Sequence, residues 1–185
     1  RLHWNAAHKG NQYPTHGLGP VAWSMGINRG DRFDYLTSLE SKQANFEAFA
    51  REHYPNGDWR VGKTVAMGDM NVTLVKTACG RAIQIQHDVS SPRPYTRGDL
   101  LSGTKGTFWG MPWRTYGDEP TVWKLFIDDP KATSNIHRYL PEAEAEHYRQ
   151  RYKHPLWKKI GEIAQKVGGH GGMDFIMDLR WVYCL

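Results

Sequence analysis

A tyrosine and a histidine three residues apart, Tyr13 and His16, sit inside the stretch NQYPTHGLGP at residues 11–20. At that spacing both side chains project from one face of a helical turn. A phenol beside an imidazole is a proton-transfer pair, because imidazole titrates near neutrality and either group responds to a nearby cation or a desolvating pocket. The bland alternative has Tyr13 packing and His16 capping a neighbouring carbonyl.

Two other segments could present chemistry. SSPRPY (90–95) follows a strand-like run, and its prolines hold the segment extended, so that Tyr95 is offered at a fixed place. GGHGG (168–172) permits very close backbone approach around His170, or serves as a flexible connector. No strand leads into it and the G-x-G-x-x-G spacing is missing, so it is no dinucleotide fingerprint. GTKG (103–106) lacks the Lys-Ser/Thr end of a phosphate loop. The 9 histidines form neither H-x-x-x-H nor H-E-x-x-H, which argues against a metal site. Nothing singles out two carboxylates for ordinary glycosidic acid–base cleavage.

The composition sets outer bounds. With 185 residues, 39% of them hydrophobic and 23% charged, the chain is expected to form a single globular domain rather than a disordered one. Its apolar runs are a few residues long, too short to span a membrane. The net charge of +5 raises nucleic acid as a partner, but the basic residues are scattered and no recognition motif accompanies them. Cys79 and Cys184 lack metal-ligand spacing and read as two buried thiols.

The elements that must position these residues follow from periodicity. Residues 1–12 read as an irregular lead-in, and 13–27 as a helix with Val21, Ala22 and Met25 on one face. NRGDR (28–32) is a breaker cluster, 33–41 a strand, and 42–54 a helix ending at PNG. Residues 70–78 and 81–89 form a hairpin around Cys79-Gly80, with Ile83, Ile85 and His87 on one face and Gln84, Gln86 and Asp88 on the other. Strands are expected at 103–110 and 121–128, and helices at 141–152, 155–167 and 173–185. The sum is an α+β fold: an open, mostly antiparallel sheet with helices packed on one face.

The motifs GNQYPTHGLGPVA (10–22), NRGDRFDYLTS (28–38), HDVSSPRPY (87–95), GTKG (103–106) and GGHGGMDF (168–175) occur in an order that carries a resemblance. The chain closely resembles the C-terminal part of family 109 glycoside hydrolases, the NAD-dependent α-N-acetylgalactosaminidases of the glucose-fructose oxidoreductase and inositol dehydrogenase superfamily. The resemblance covers essentially the whole chain. It implies a substrate-binding and oligomerisation domain at 1–185, cut from a parent whose N-terminal Rossmann domain and extreme C-terminus lie elsewhere.

The mechanism implied by the resemblance departs from that of ordinary glycosidases. NAD takes hydride from C3 of the sugar, a base removes the acidified C2 proton, and the aglycone is eliminated. Water then adds, and the hydride is returned. By the same resemblance, Tyr13, Pro14, Thr15 and His16 form the substrate-binding segment, with Tyr13 and His16 catalytic, and Tyr95 and Arg1 contact the sugar. His170 joins this list as a substrate contact from its glycine-rich setting. NAD contacts are expected on the missing N-terminal domain, so the isolated chain is expected neither to bind NAD nor to turn over. The expected partner is an N-acetylgalactosamine-containing glycan, with a homo-oligomer formed through the sheet. The parent is expected to be exported, periplasmic or extracellular, in a bacterium. The alternatives are a sugar oxidoreductase of the same superfamily, or a non-catalytic oligomerisation or carbohydrate-binding domain.

Overall fold

The computed structural model describes residues 2–110, 123–135 and 137–185. The fold is α+β and falls into two compact units, Arg1–Gly103 with Phe108–Trp123 and Thr104–Thr107 with Lys124–Leu185.

The first unit is built on an antiparallel sheet of β1 (Phe33–Glu40), β2 (Met70–Thr77) and β3 (Ala82–Asp88), in that order. The alternation that predicts the hairpin decides which way each residue points. Val75 lies opposite Ile83, Thr73 opposite Ile85 and Asn71 opposite His87, and this inner face is where the unit's buried side chains gather. Asn71 is the most telling of them. Its amide donates to Ser38 Oγ (2.9 Å) and the Leu39 carbonyl (3.3 Å), and its Oδ1 accepts from the Thr73 hydroxyl (3.0 Å). A buried amide is tolerated there because its hydrogen bonds are made. The outer face carries Tyr35, Leu39 and Leu74, all largely exposed.

Helix α2 (Thr15–Ser24) packs over β3: a methyl group at Gly17 would stand 3.8 Å from Ile85 Cγ2. Helix α3 (Asn45–His53) is capped from a distance, the Asp69 carboxylate accepting from the backbone N–H of Ala44 (2.8 Å) and Asn45 (3.1 Å). One buried carboxylate pins the entry to β1 against the hairpin turn. Asp31 accepts from Arg81 Nη1 (2.7 Å) and from the N–H of Arg32 and Cys79, while Arg81 also donates to the Met25 carbonyl at the end of α2. Burial pushes this carboxyl up, yet the donors of Thr77, Cys79, Arg32 and Arg81 together hold it well below the usual carboxylate range.

Strands β4 (Asp99–Gly103), β5 (Gly106–Gly110) and β6 (Trp123–Ile127) form a second sheet in that order. The two-residue link Thr104-Lys105 makes β4 and β5 a hairpin, hence antiparallel. The second unit holds α4 (Glu142–Tyr152), α5 (Pro155–Val167) and α6 (Met173–Tyr183); α5 packs against α6, and Leu140, Ala145 and Ala164 are buried.

Three expectations are corrected. Residues 1–12 are not wholly irregular: α1 spans Leu2–Ala7, held by Trp4 stacked on His8 at 3.8 Å and by Asn5 and Ala6 carbonyls accepting from Met67 and Ala66. The strands form two sheets rather than one, and β4 begins before the expected 103–110 run. Cys79 and Cys184 are both exposed, because one sits on the hairpin turn and the other just past the end of α6. Residues 121 and 122 of the expected last strand lie outside the described residues.

Candidate functional site

The Tyr13–His16 pair owes its geometry to the way α2 starts. Asn11 Oδ1 accepts from the Tyr13 N–H (3.0 Å), an Asx turn that brings the chain round. Pro14 follows with φ −75°, already suited to a helix, and its carbonyl takes the N–H groups of Gly17 and Leu18. The loop before it is tethered at two points, Gly10 N–H to Glu40 Oε1 (2.8 Å) and Trp4 Nε1 to Gln12 Oε1 (2.5 Å). Tyr13 and His16 therefore share one face, as their spacing requires.

Their polar atoms meet. Tyr13 Oη and His16 Nε2 are 3.1 Å apart, the phenol donating when Nε2 carries the lone pair, and the rings stand edge to face at 4.9 Å. Both side chains are exposed rather than packed in a core. The pair can pass a proton between phenol and imidazole and present it to a bound molecule. The bland alternative of a packed tyrosine does not describe this arrangement, since Tyr13 is 57% exposed. Thr15 is exposed beside them and Pro14 is half-buried beneath.

The loop carrying Tyr95 continues from β3, the strand on which α2 rests. Asp88 Oδ1 accepts from the N–H of Ser90 (3.2 Å) and Ser91 (3.0 Å), and Ser90 Oγ donates to Asp69 (3.0 Å). Burial raises the Asp88 carboxyl, but hydrogen bonds from Ser91 and Ser90 and the charge of Arg93 leave it below its ordinary value. These ties fix the first half of SSPRPY. At its end the Tyr95 hydroxyl accepts from Arg97 Nε. On the inner face nearby, burial keeps the His87 imidazole below its usual value despite Asp88 and Glu40.

His170 belongs to the second unit. Its backbone has φ +50°, rare for a residue with a side chain, and its Nδ1 pairs with Asp174 Oδ2 at 2.8 Å. The glycines around it allow tight packing instead of flexibility. A methyl group at Gly172 would fall 2.6 Å from the Ala164 carbonyl carbon, and one at Gly168 would fall 2.5 Å from Phe175 Cβ. Thus α5 and α6 cross closely at GGHGG and leave the imidazole outside. Arg1 lies outside the described residues.

Sequence reasoning missed a groove of about 560 Å³ beside the pair, running along α2 from Pro14 and Thr15 to Trp23 and bordered by Arg29 and Phe33. The signal was present in the sequence, because Trp23 lies seven residues after His16 and so on the same side of the helix. Asp174, four residues after His170, was legible in the same way.

Two further properties bear on ligands. Among the described residues no group of three or more His, Cys, Asp or Glu is placed to hold a metal ion, and no helix is long and apolar enough to cross a membrane. A pyrophosphate cradle needs backbone N–H groups at a helix start behind a strand. Here α2 starts at Thr15 behind Pro14 and an Asx turn rather than behind a strand, and the glycines before α6 are filled by the α5 backbone and the Asp174 carboxylate. Neither of these two helix starts therefore forms a pyrophosphate cradle.

The model of the glycosyl hydrolase 109 C-terminal domain matches residues 1–185. Among curated proteins, a glycosyl hydrolase family 109 protein of Shewanella woodyi is 44% identical over all of this chain and 38% of its own length. One of Solibacter usitatus is 45% identical over 95% of the chain and 36% of its own length. A protein of Shewanella oneidensis named alpha-N-acetylgalactosaminidase is 42% identical over the whole chain and 38% of its own length. The chain thus spans a little over a third of the length of these relatives.

Proposed function

The chain belongs to the glycosyl hydrolase 109 family as its C-terminal domain, and from that premise we propose that it is the substrate domain of an NAD-dependent α-N-acetylgalactosaminidase. The observation that carries the reading is the exposed Tyr13–His16 pair at 3.1 Å, in a chain related to a protein named for that activity. A proton-transfer pair with no carboxylate hydrogen-bonded to it among the described residues suits a glycosidase whose bond cleavage follows oxidation of the sugar rather than direct acid catalysis.

In this reading the terminal N-acetylgalactosamine lies against the start of α2. His16 Nε2 takes the proton of a ring hydroxyl as its carbon becomes a carbonyl, and gives it back when the hydroxyl is restored. Tyr13 Oη holds the same oxygen and shares that proton with the imidazole. Pro14 and Thr15 line the sugar's edge, and Tyr95 and Arg1 are proposed as further sugar contacts. His170, whose Nδ1 pairs with Asp174, is proposed as a further substrate contact. The chemistry that NAD would supply, if held by the N-terminal domain proposed for the parent, is a reversible hydride exchange at the sugar. The parent is proposed to be an exported bacterial enzyme.

The test uses the full-length parent and p-nitrophenyl α-N-acetylgalactosaminide. Phenol release with no net NADH supports the reading. No phenol release, with NADH accumulating on free sugars, favours a sugar oxidoreductase of the same superfamily. For the 185-residue chain alone, calorimetry with NAD is expected to show no binding, and measurable affinity contradicts the placement of the cofactor.

A role in assembly has its own support. Tyr35, Leu39 and Leu74 leave an apolar strip on the outer face of the first sheet, which suits pairing with a second copy. A parent that stays monomeric in size-exclusion chromatography at every concentration counts against it.

A further inference from the structure

Helix α2 carries a second feature that the proton-transfer pair does not use. His16, Gly19 and Trp23 fall at i, i+3 and i+7, one line along the helix, with Trp23 about 10 Å beyond His16 at the helical rise per residue. We propose that this line is the aglycone subsite, a shelf that takes the second sugar ring of an α-linked N-acetylgalactosamine glycan. The proposal rests on the glycosidase reading above.

Gly19 is the first argument. Glycine is the poorest helix former after proline, so a glycine inside α2 calls for a cause. Its φ is not in the left-handed region, and a methyl group built on it would meet no atom within 4 Å. Backbone conformation and close packing are therefore both removed as reasons. Gly17 differs, because it faces Ile85 beneath the helix. What remains for Gly19 is the space itself, a bare patch of helix between the imidazole and the indole.

Trp23 is the second argument. It is 63% exposed at the far end of that patch, and the Arg29 guanidinium stands 5.8 Å from its ring centroid. An indole face receives the C–H face of a pyranose, and a guanidinium donates to the hydroxyls on its rim. The rest of the groove is apolar, with Pro14, Leu18, Ala22 and Phe33 along its length. The groove is open, and its mostly apolar lining with a few polar groups has the chemistry of a small-ligand site. It opens at Pro14 and Thr15, next in sequence to His16, so the leaving group of a sugar held at the pair has this groove within reach.

The test compares two glycosides in the full-length parent. One is methyl α-N-acetylgalactosaminide, which has no second ring, and the other is N-acetylgalactosamine α-linked to galactose. Trp23→Ala is expected to lower kcat/KM on the disaccharide, relative to the methyl glycoside, by about 10-fold, the scale of one lost aromatic contact. Gly19→Leu, whose Cβ would meet no atom within 4 Å, fills the shelf and is expected to produce at least the same change in ratio with an unchanged or raised melting temperature. If Trp23→Ala fails to fold, the Gly19 variant alone decides. A ratio within twofold of wild type in both variants overturns the subsite on an active parent. Equal losses on both glycosides, together with weakened NAD binding, also overturn it, by showing that the groove seats the dinucleotide domain. A wild-type parent that cleaves neither glycoside overturns the glycosidase reading and the subsite with it.

Discussion

Two glycine-rich histidine segments, THGLG at the start of α2 and GGHGG before α6, resemble each other in composition and differ in what their glycines do. Around His170 the glycines are demanded by packing: Gly168 and Gly172 lie where an added carbon would come within 2.6 Å of a neighbouring element. Beyond His16, Gly19 faces nothing within 4 Å. The histidines differ to match. His170 is committed through Nδ1 to a carboxylate, whereas His16 offers Nε2 to a phenol. A glycine beside a histidine is thus no sign of function by itself. The environment of the missing side chain decides.

The largest expected effect tests the α2 side. Tyr13→Phe in the full-length parent should lower turnover of an aryl α-N-acetylgalactosaminide by at least about 10²-fold, the usual cost of a lost proton-transfer partner. A near-native rate removes Tyr13 from the chemistry.

The glycines themselves come next, read by thermal or urea unfolding of the chain. Gly172→Ala should destabilise by about 3 kcal/mol, since it combines overpacking against α5 with a φ of +96°. Gly19→Ala should stabilise by about 1 kcal/mol, the helix-propensity difference. Equal signs for the two would abolish the comparison.

Smaller effects follow from titration in the first unit. Burial keeps His87 below its ordinary value in the folded chain. The unfolded chain therefore binds the proton more readily, and stability should fall as pH drops below about 6.5 towards the folded value. Asp31 and Asp88 are held low when folded, so further stability should be lost as pH falls below about 3.9. Melting temperatures across that range check both windows, and His87→Gln should flatten the first. In the second unit, Asp174→Ala should change stability by less than about 0.5 kcal/mol, because its pair with His170 is largely solvated.

Much of this was written in local sequence. The hairpin follows from the alternation of Ile83, Ile85 and His87 and the Gly80 turn, α5 from Pro155 at its start, and the Tyr13–His16 contact from a spacing of three. What escaped depends on distant partners. Helix α1 is six residues with no apolar stripe, and pairs its carbonyls with residues 66 and 67. The clamp between Asp31 and Arg81 joins positions 50 apart. The division of the strands into two sheets is likewise a matter of long-range pairing. The groove of α2 was missed for a different reason: apolar residues on a helix read as core until their exposure is known.

The most direct measurement sets the two histidines against each other in the full-length parent, with kcat and KM determined for His16→Ala and His170→Ala on the same aryl glycoside. His16→Ala is expected to lower kcat by at least about 10²-fold, while His170→Ala raises KM and leaves kcat within a few-fold of wild type. A His16→Ala enzyme with near-native kcat would remove the imidazole from the chemistry and contradict the proton-transfer role of the pair.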